Sequence, residues 1–395
     1  MQSVLAAVLL VSTFPTSAPG HAADRASTTD DINAYHAAIA DAELRAGAYS
    51  DQLAEPLLGL ATLMQAQGQH REAVALFKRG AHLTRINDGL YSSRQIPLLR
   101  GEIASLIAGG DYHTADERQR YLFRVHLRRG EQGQQLVDAY MEHADWQYQA
   151  YRMGLDSEGF PRLMFMSDLY RKALNEVIRH DGEDSPAVLP PLEGMLQAQY
   201  LIKAHDLRHL AQAPEEDLRA RQELYRFAAY QNQSYATGSS IISAMHEIAT
   251  QAGNGSERSV NSARMLTMLG DWHLWNDQWQ SAEQAYSDAW AELAGLDDAQ
   301  DEAQALFGAP VALPALNGLR SLPPEVENQP GAVQVAFSVT ERGRPRGLER
   351  LDDNEELDGR AYRLMRALRS TKFRPRLEAG LPAETQQLVK AFDLQ

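Results

Sequence analysis

Apolar residues recur three and four positions apart through residues 30–308, and this spacing predicts amphipathic helices along almost the whole stretch. The alternation of β-branched residues that marks strands is missing there. Turn clusters interrupt the pattern at "RAGAYS", "QGQH", "GGDYH", "LDSEGFP", "HDGEDSP", "QAPEED" and "AGNGSE". Many helices with short breaks predict an internal repeat of helix pairs. Residues 309–331 carry five prolines, which predicts a linker and a domain boundary. Beyond it "VQVAFSV" alternates strictly, with Val333, Val335, Phe337 and Val339 on one face, as a half-buried strand does. "TERGRP" predicts a turn at Gly343, and "RGLERLD" a second strand. Leu357, Ala361, Leu364, Met365 and Leu368 then fall at helical spacing, and "LVKAFDL" predicts a last strand. The expected order in 332–395 is strand, strand, helix, strand.

Two windows of the helical region align with each other, residues 57–80 and 266–293. In the second, Leu266, Leu269, Gly270, a turn at Asp277, Trp279, Ala282, Tyr286 and Ala289 set the pattern. In the first, Leu57, Leu60, Ala61, Gly68, Ala73, Phe77 and Gly80 do so. Both windows resemble the tetratricopeptide repeat (TPR) family. Small residues such as Gly270 and Ala282 let paired helices approach, and Leu266, Leu269 and Tyr286 fill the layer between neighbours. A weaker copy has its turn at Gly110, 42 residues after Gly68, against about 34 in the family. Between 131 and 230 helices are expected without a fixed register. The resemblance implies a mainly α fold: a right-handed α-solenoid of about ten to fourteen antiparallel helices over 30–308, then a small α+β domain over 332–395. Four of the five tryptophans, Trp272, Trp275, Trp279 and Trp290, fall in the last window, where core and end-cap packing is expected.

The closing segment resembles a second family. Phe373-Arg374-Pro375, Gly380-Leu381-Pro382 and the apolar run Val389–Leu394 follow the strand Val333–Val339, the turn at Gly343 and the helix Leu357–Leu368. This ordered set is similar to the C-terminal domain of the TonB family of periplasmic energy transducers. The resemblance implies partner recognition by β-strand addition to a sheet edge, with the final strand, roughly Thr385–Leu394, as that edge. Gln386 and Lys390, four apart, are expected to project on one face of it.

At the N-terminus an apolar run, Val4–Val11, precedes Pro15 and Pro19, with Gly20 and Ala22 at the small-residue positions of a cleavage site. This predicts a signal peptide over 1–22, a mature chain beginning at Ala23, and an exported, periplasmic protein. The run is far short of the ~20 residues that span a bilayer. The net charge of −15 argues against a general nucleic-acid binder. The absence of cysteine excludes disulfides, thiolate metal sites and a cysteine nucleophile. Charge is divided along the chain: 331–395 holds 12 Lys+Arg against 10 Asp+Glu, and the remaining residues hold 26 against 43.

Motif chemistry is sparse. His205 and His209 stand one helical turn apart in "AHDLRHL", a spacing that two metal-binding imidazoles can share, but no third ligand accompanies them. No phosphate-binding glycine loop or nucleophile elbow is present. The expected function is a non-enzymatic periplasmic protein–protein interaction scaffold with a TonB-like module for envelope partners, using no cofactor and no metal. In TPR arrays the groove is lined by outward residues of the first helix of each pair, here Arg264, Asp271 and Trp275. Two alternatives stand beside this: an accessory energy-transduction component contacting an outer-membrane receptor, and a metal-dependent hydrolase using His205 and His209.

Overall fold

A computed structural model describes residues 21–156, 159–206, 218–296, 299–327, 331–352 and 354–394. The protein is mainly helical, with a small β-rich region at its C-terminal end. The described residues form two compact units, one ending at Glu131 and one beginning at Gln132. Of the expected signal segment, residues 1–20 lie outside the described residues, and Ala22 and Ala23 fall in the first turn of a helix that starts at His21. Among the described residues, no helix is long and apolar enough to cross a membrane.

The first unit holds α1 (His21–Ala46), α2 (Ala54–Ala66), α3 (His70–Asp88), α4 (Gln95–Ala108) and α5 (Tyr112–Arg128). Each helix packs on the next in sequence. Close crossings are built from glycine facing an aromatic ring. A Cβ placed on Gly59 would lie 2.4 Å from the Tyr35 ring, and one on Gly101 would lie 2.4 Å from Phe77. In both pairs the ring precedes the glycine by 24 residues, and the pairs are 42 residues apart. The long repeat step read from Gly68 and Gly110 therefore recurs in the packing. Both of those glycines have positive φ, 76° and 79°, and terminate helices where a side chain would be strained.

The second unit continues with α6 (Gln134–Arg152), α7 (Phe160–Asp181), α8 (Leu189–Ala204), α9 (Leu218–Ala252), α10 (Ser256–Trp275), α11 (Trp279–Ala294) and α12 (Gln300–Phe307). Gly194 lies against Tyr170, again 24 residues back, which supplies a register for part of the stretch the sequence pattern left open. Gly270 lies against Tyr286, with an added Cβ 2.3 Å from the ring. Ala282, Tyr286 and Ala289 of α11 are wholly buried with Ala263 and Leu274 of α10. Of the tryptophans, Trp272 is fully buried, and Trp275, Trp279 and Trp290 pack at the margins of the same cores.

The β-rich region comprises β1 (Val311–Ala312), β2 (Glu325–Val326), β3 (Val333–Val339), β4 (Pro345–Arg350), α13 (Asp358–Ser370), β5 (Phe373–Arg374), β6 (Arg376–Glu378), β7 (Leu381–Ala383) and β8 (Thr385–Phe392). Its main sheet has the order β2-β8-β3-β4, all pairs antiparallel. The expected strand–strand–helix–strand order is present as β3, β4, α13 and β8. Val333, Val335, Phe337 and Val339 face a core with Leu364, Leu368, Phe373 and Phe392. The β6–β7 hairpin turns through Ala379 (φ 50°) and Gly380 (φ 84°) between the paired residues Glu378 and Leu381. Two positive-φ residues make the tight turn whose twist matches a hairpin.

The proline-rich stretch 309–331, expected as a linker, is instead woven into the fold. β1 pairs with β5, β2 pairs with the end of β8, and Leu316 and Leu319 pack into the helical core. Tyr148 of α6 donates a hydrogen bond to the Gly318 carbonyl, 2.6 Å. Prolines lack an N–H but leave carbonyls and side chains free, so such a strap can bond through the residues between them.

Candidate functional site

Two surfaces of the second unit carry the residues expected to bind partners: the outer face of α10 and the edge of β8. The first is covered. The Asp271 carboxylate, on α10, accepts a two-pronged ion pair from Arg374: Nε to Oδ1 is 2.9 Å and Nη2 to Oδ2 is 2.7 Å. Tyr286 Oη donates to the same Oδ1 at 2.9 Å, and Arg374 Nη1 donates to the Leu306 carbonyl at 2.9 Å. The two side chains are 8% and 4% exposed, so the pair is dry. Asp271 therefore does not line an open groove; it anchors the C-terminal region to the last helix pair. Arg264 is exposed but forks onto Glu302 of α12, at 2.7 and 2.8 Å. Trp275 is half-buried against the Tyr200 ring, 5.5 Å between centroids. The physical reason these three form no common binding face is that α12 and β5 pack over the side of α10 that a groove would need.

A second clasp lies at the α10–α11 turn. Lys372 Nζ donates to the terminal carbonyls of α10, 2.7 Å to Trp275 and 3.3 Å to Leu274, where a cation complements the helix dipole. Lys372 also pairs with Asp277 Oδ1 at 2.8 Å, as does Arg344 at 2.9 Å. Asp277 has φ 61° and sits in the turn the repeat pattern marks. The Lys372 hydrogen bond, opposed by partial burial and aided by Arg344, holds its carboxyl below the ordinary 3.8. A carboxylate whose pKa is lower folded than unfolded adds stability above its unfolded value and loses it as pH falls through the folded one. Because Asp277 is largely exposed, solvent screens much of that stabilisation. Acidification below the ordinary carboxylate range is expected to raise amide exchange at Gly343–Arg344 and Lys372. The Asp277→Asn variant should exchange faster at neutral pH and show no such acid step.

At the sheet edge, β8 is covered by β2 only at Ala391 and Phe392. Its other long side pairs with β3. Residues Thr385–Lys390 thus have no second strand partner among the described residues. Gln386 and Lys390 do not share a face, contrary to the period-two expectation. Phe337 opposes Leu388 but Val339 opposes Thr385, so Gln386 and Gln387 together oppose Ser338 in a bulge, with Gln387 at φ 54°. One extra residue moves the alternation by one. Gln386 lies on the outer face, while Lys390, opposite buried Val335, lies on the inner face and bonds Glu325 at 2.5 Å. A bulge and an inward charge both discourage indiscriminate edge pairing.

The histidines of the hydrolase alternative are not brought together as a described site. His205 sits among Tyr151, Phe160 and Phe227, with its Nδ1 3.0 Å from Tyr151 Oη. His209 lies outside the described residues. No group of three potential metal ligands occurs among the described residues. Sequence reasoning passed over Arg374 and Lys372, the two side chains that fasten this end of the protein. The only signal was their place in "TKFRPR", just after the predicted helix Leu357–Leu368.

No family profile matches the sequence, and neither does any curated protein. Among solved structures, this chain is similar to BtubC (BKLC) from P. vanneervenii at 14% identity and a TM-score of 0.40, over 79% of this chain and 100% of that one. It is also similar to a kinesin light chain-like protein with nearly identical TPR-like repeats from Podosopora anserina, at 12% identity and a TM-score of 0.40, over 62% of this chain and 96% of that one.

Proposed function

We propose that this protein is a non-enzymatic, exported scaffold for protein–protein interaction, in which a TPR-like helical array carries a fixed C-terminal module resembling the TonB C-terminal domain. The module takes an extended segment of an envelope partner onto the edge of β8. The observation that carries this reading is the stretch Thr385–Lys390, paired on one side by β3 and, among the described residues, left without a strand on the other. Main-chain groups along such an edge recruit an extended peptide, and side chains of alternate residues set its identity. The bulge and Lys390 make the edge selective. The dry Asp271–Arg374 pair supports a module that presents its edge at a fixed position, and it counts against a domain that must be pulled free to transmit force.

A proline scan of residues 385–390 tests this. Prolines that leave the circular dichroism unchanged but remove an outward N–H should abolish capture of the envelope partner recovered with the intact protein, because main-chain bonds carry the affinity. Single side-chain changes at Gln386 should do little. Full binding by every folded proline variant would mean that the module is only a cap.

A further inference from the structure

The first unit holds a cavity of about 450 Å³ lined by α3, α4 and α5. Its charged lining is wholly cationic: Lys78, Arg79 and Arg85 from α3 and Arg118 from α5, with His82 and Tyr121 between them. No carboxylate lines it. Arg118 donates to Glu102 Oε1 at 2.8 Å from beneath, and Glu102 is only 1% exposed. The other oxygen of Glu102 has no hydrogen-bond partner. Arg79 is held by Glu43 of α1. Lys78 and Arg85 are exposed and have no carboxylate in salt-bridge range among the described residues; Arg85 Nη2 donates to His82 Nδ1 at 3.1 Å. Tyr121 is fixed at the cavity wall by bonds to the Leu90 carbonyl and Gln95 Oε1, both 3.0 Å.

Glu102 and Glu43 offset Arg118 and Arg79, but Lys78 and Arg85 add like charge to the same concavity with no carboxylate in range among the described residues, and such a concavity attracts an anion. The rest of the chain sharpens the contrast. Residues 132–330 hold 13 Lys+Arg against 29 Asp+Glu, so a long polyanion such as nucleic acid is repelled by the protein as a whole, while a short acidic segment is not. Geometry gives the segment its shape. Lys78, His82 and Arg85 follow one stripe of α3, and seven residues of helix rise about 10 Å. An extended peptide spans that distance in about three residues. Ala75, Ala81 and Leu99 add an apolar floor for a side chain between the acidic ones.

We propose that this cavity binds a short acidic peptide segment of a partner protein, with two or three carboxylates over three to four residues placed on Lys78, Arg85 and Arg118. The site rests on the scaffold reading but not on the β8 edge, so proline variants of β8 should leave it unchanged.

The test uses the full chain and a fluorescent Glu-Leu-Glu-Glu-Leu-Glu peptide, read by anisotropy. Binding should weaken steeply with added salt, and the Gln-Leu-Gln-Gln-Leu-Gln peptide should not bind. K78E and R85E are exposed changes that should leave the melting temperature unchanged and each weaken binding about tenfold or more. A Lys172→Glu control, on α7, should bind as wild type. Equal binding of the acidic peptide by K78E, R85E and wild type would overturn the proposal, as would no binding at all. Tighter binding of a single-stranded oligonucleotide than of the peptide, lost in the same variants, would also overturn it.

Discussion

Arg374→Ala is expected to lower the stability of the second unit by about 3–5 kcal/mol, because it strips a dry carboxylate of its counter-ion. Asp271 would keep only the Tyr286 hydroxyl, and water cannot replace the guanidinium where the side chain is 4% exposed. The Leu306 carbonyl at the end of α12 would lose its donor as well. A change of this size should shift the melting transition by roughly 10 °C. Amide exchange should rise first at β1, β5 and α12, which meet at the pair. Arg374→Lys keeps the charge but not the fork, so it should recover only part of the loss. The informative partner is the double variant Asp271→Leu/Arg374→Met. Replacing a buried ion pair by apolar groups of similar volume is close to neutral, so the double variant should melt nearer to wild type than either single one. A loss below about 1 kcal/mol in Arg374→Ala would mean that the pair is solvated and the module loosely attached.

That ion pair also marks the limit of what the sequence discloses. Its members are 103 residues apart, and neither has a local signature. Asp271 falls on α10 where a periodic reading turns it outward, and Arg374 looks like loop charge between Phe373 and Pro375. Only the packing of β5 against α10 makes them partners. The repeat itself was legible because its chemistry is local. The turn glycines 68 and 110 and the Gly270/Ala282/Tyr286 set are demanded by helix ends and close crossings. The same logic extends to pairs that were passed over, Gly59 with Tyr35 and Gly101 with Phe77, whose common 24-residue offset is visible in the sequence once sought. Strand β3 was legible to the residue because Val333–Val339 alternates without a break. The bulge in β8 was not, since Gln386-Gln387 carries no glycine or asparagine to announce a positive φ. The linker was misjudged for a related reason: prolines forbid helix and central strand, but they do not forbid short edge strands or a strap bonded through its carbonyls.

Ala282→Trp is expected to unfold the end of the array and release the C-terminal module with it. Ala282 has no exposed surface and sits where α11 crosses α10, in a core that includes Tyr286, Ala289, Phe307, Leu313 and Leu377. The last two belong to the strap and to β6, so the core that holds the helix pair also holds the module. An indole has no room there without parting the helices, and overpacking of this kind costs about 1–3 kcal/mol or more. Adding one methyl group at the facing Gly270 would already collide with the Tyr286 ring, so the neighbourhood cannot yield by small shifts. In a repeat array stability is close to a sum over neighbours, and the damage should stay at its end. Hydrogen exchange should therefore lose protection in α10, α11, α12 and β1 to β8 together, while α2 to α5 keep theirs. Ser281→Trp puts the same side chain one residue earlier, on an exposed position, and should leave exchange unchanged. Uniform loss of protection from α1 to β8 in Ala282→Trp would contradict the repeat reading. Loss confined to α10–α12, with the β-rich region still protected, would show that the module holds its own fold and position without the helix pair it is clasped to.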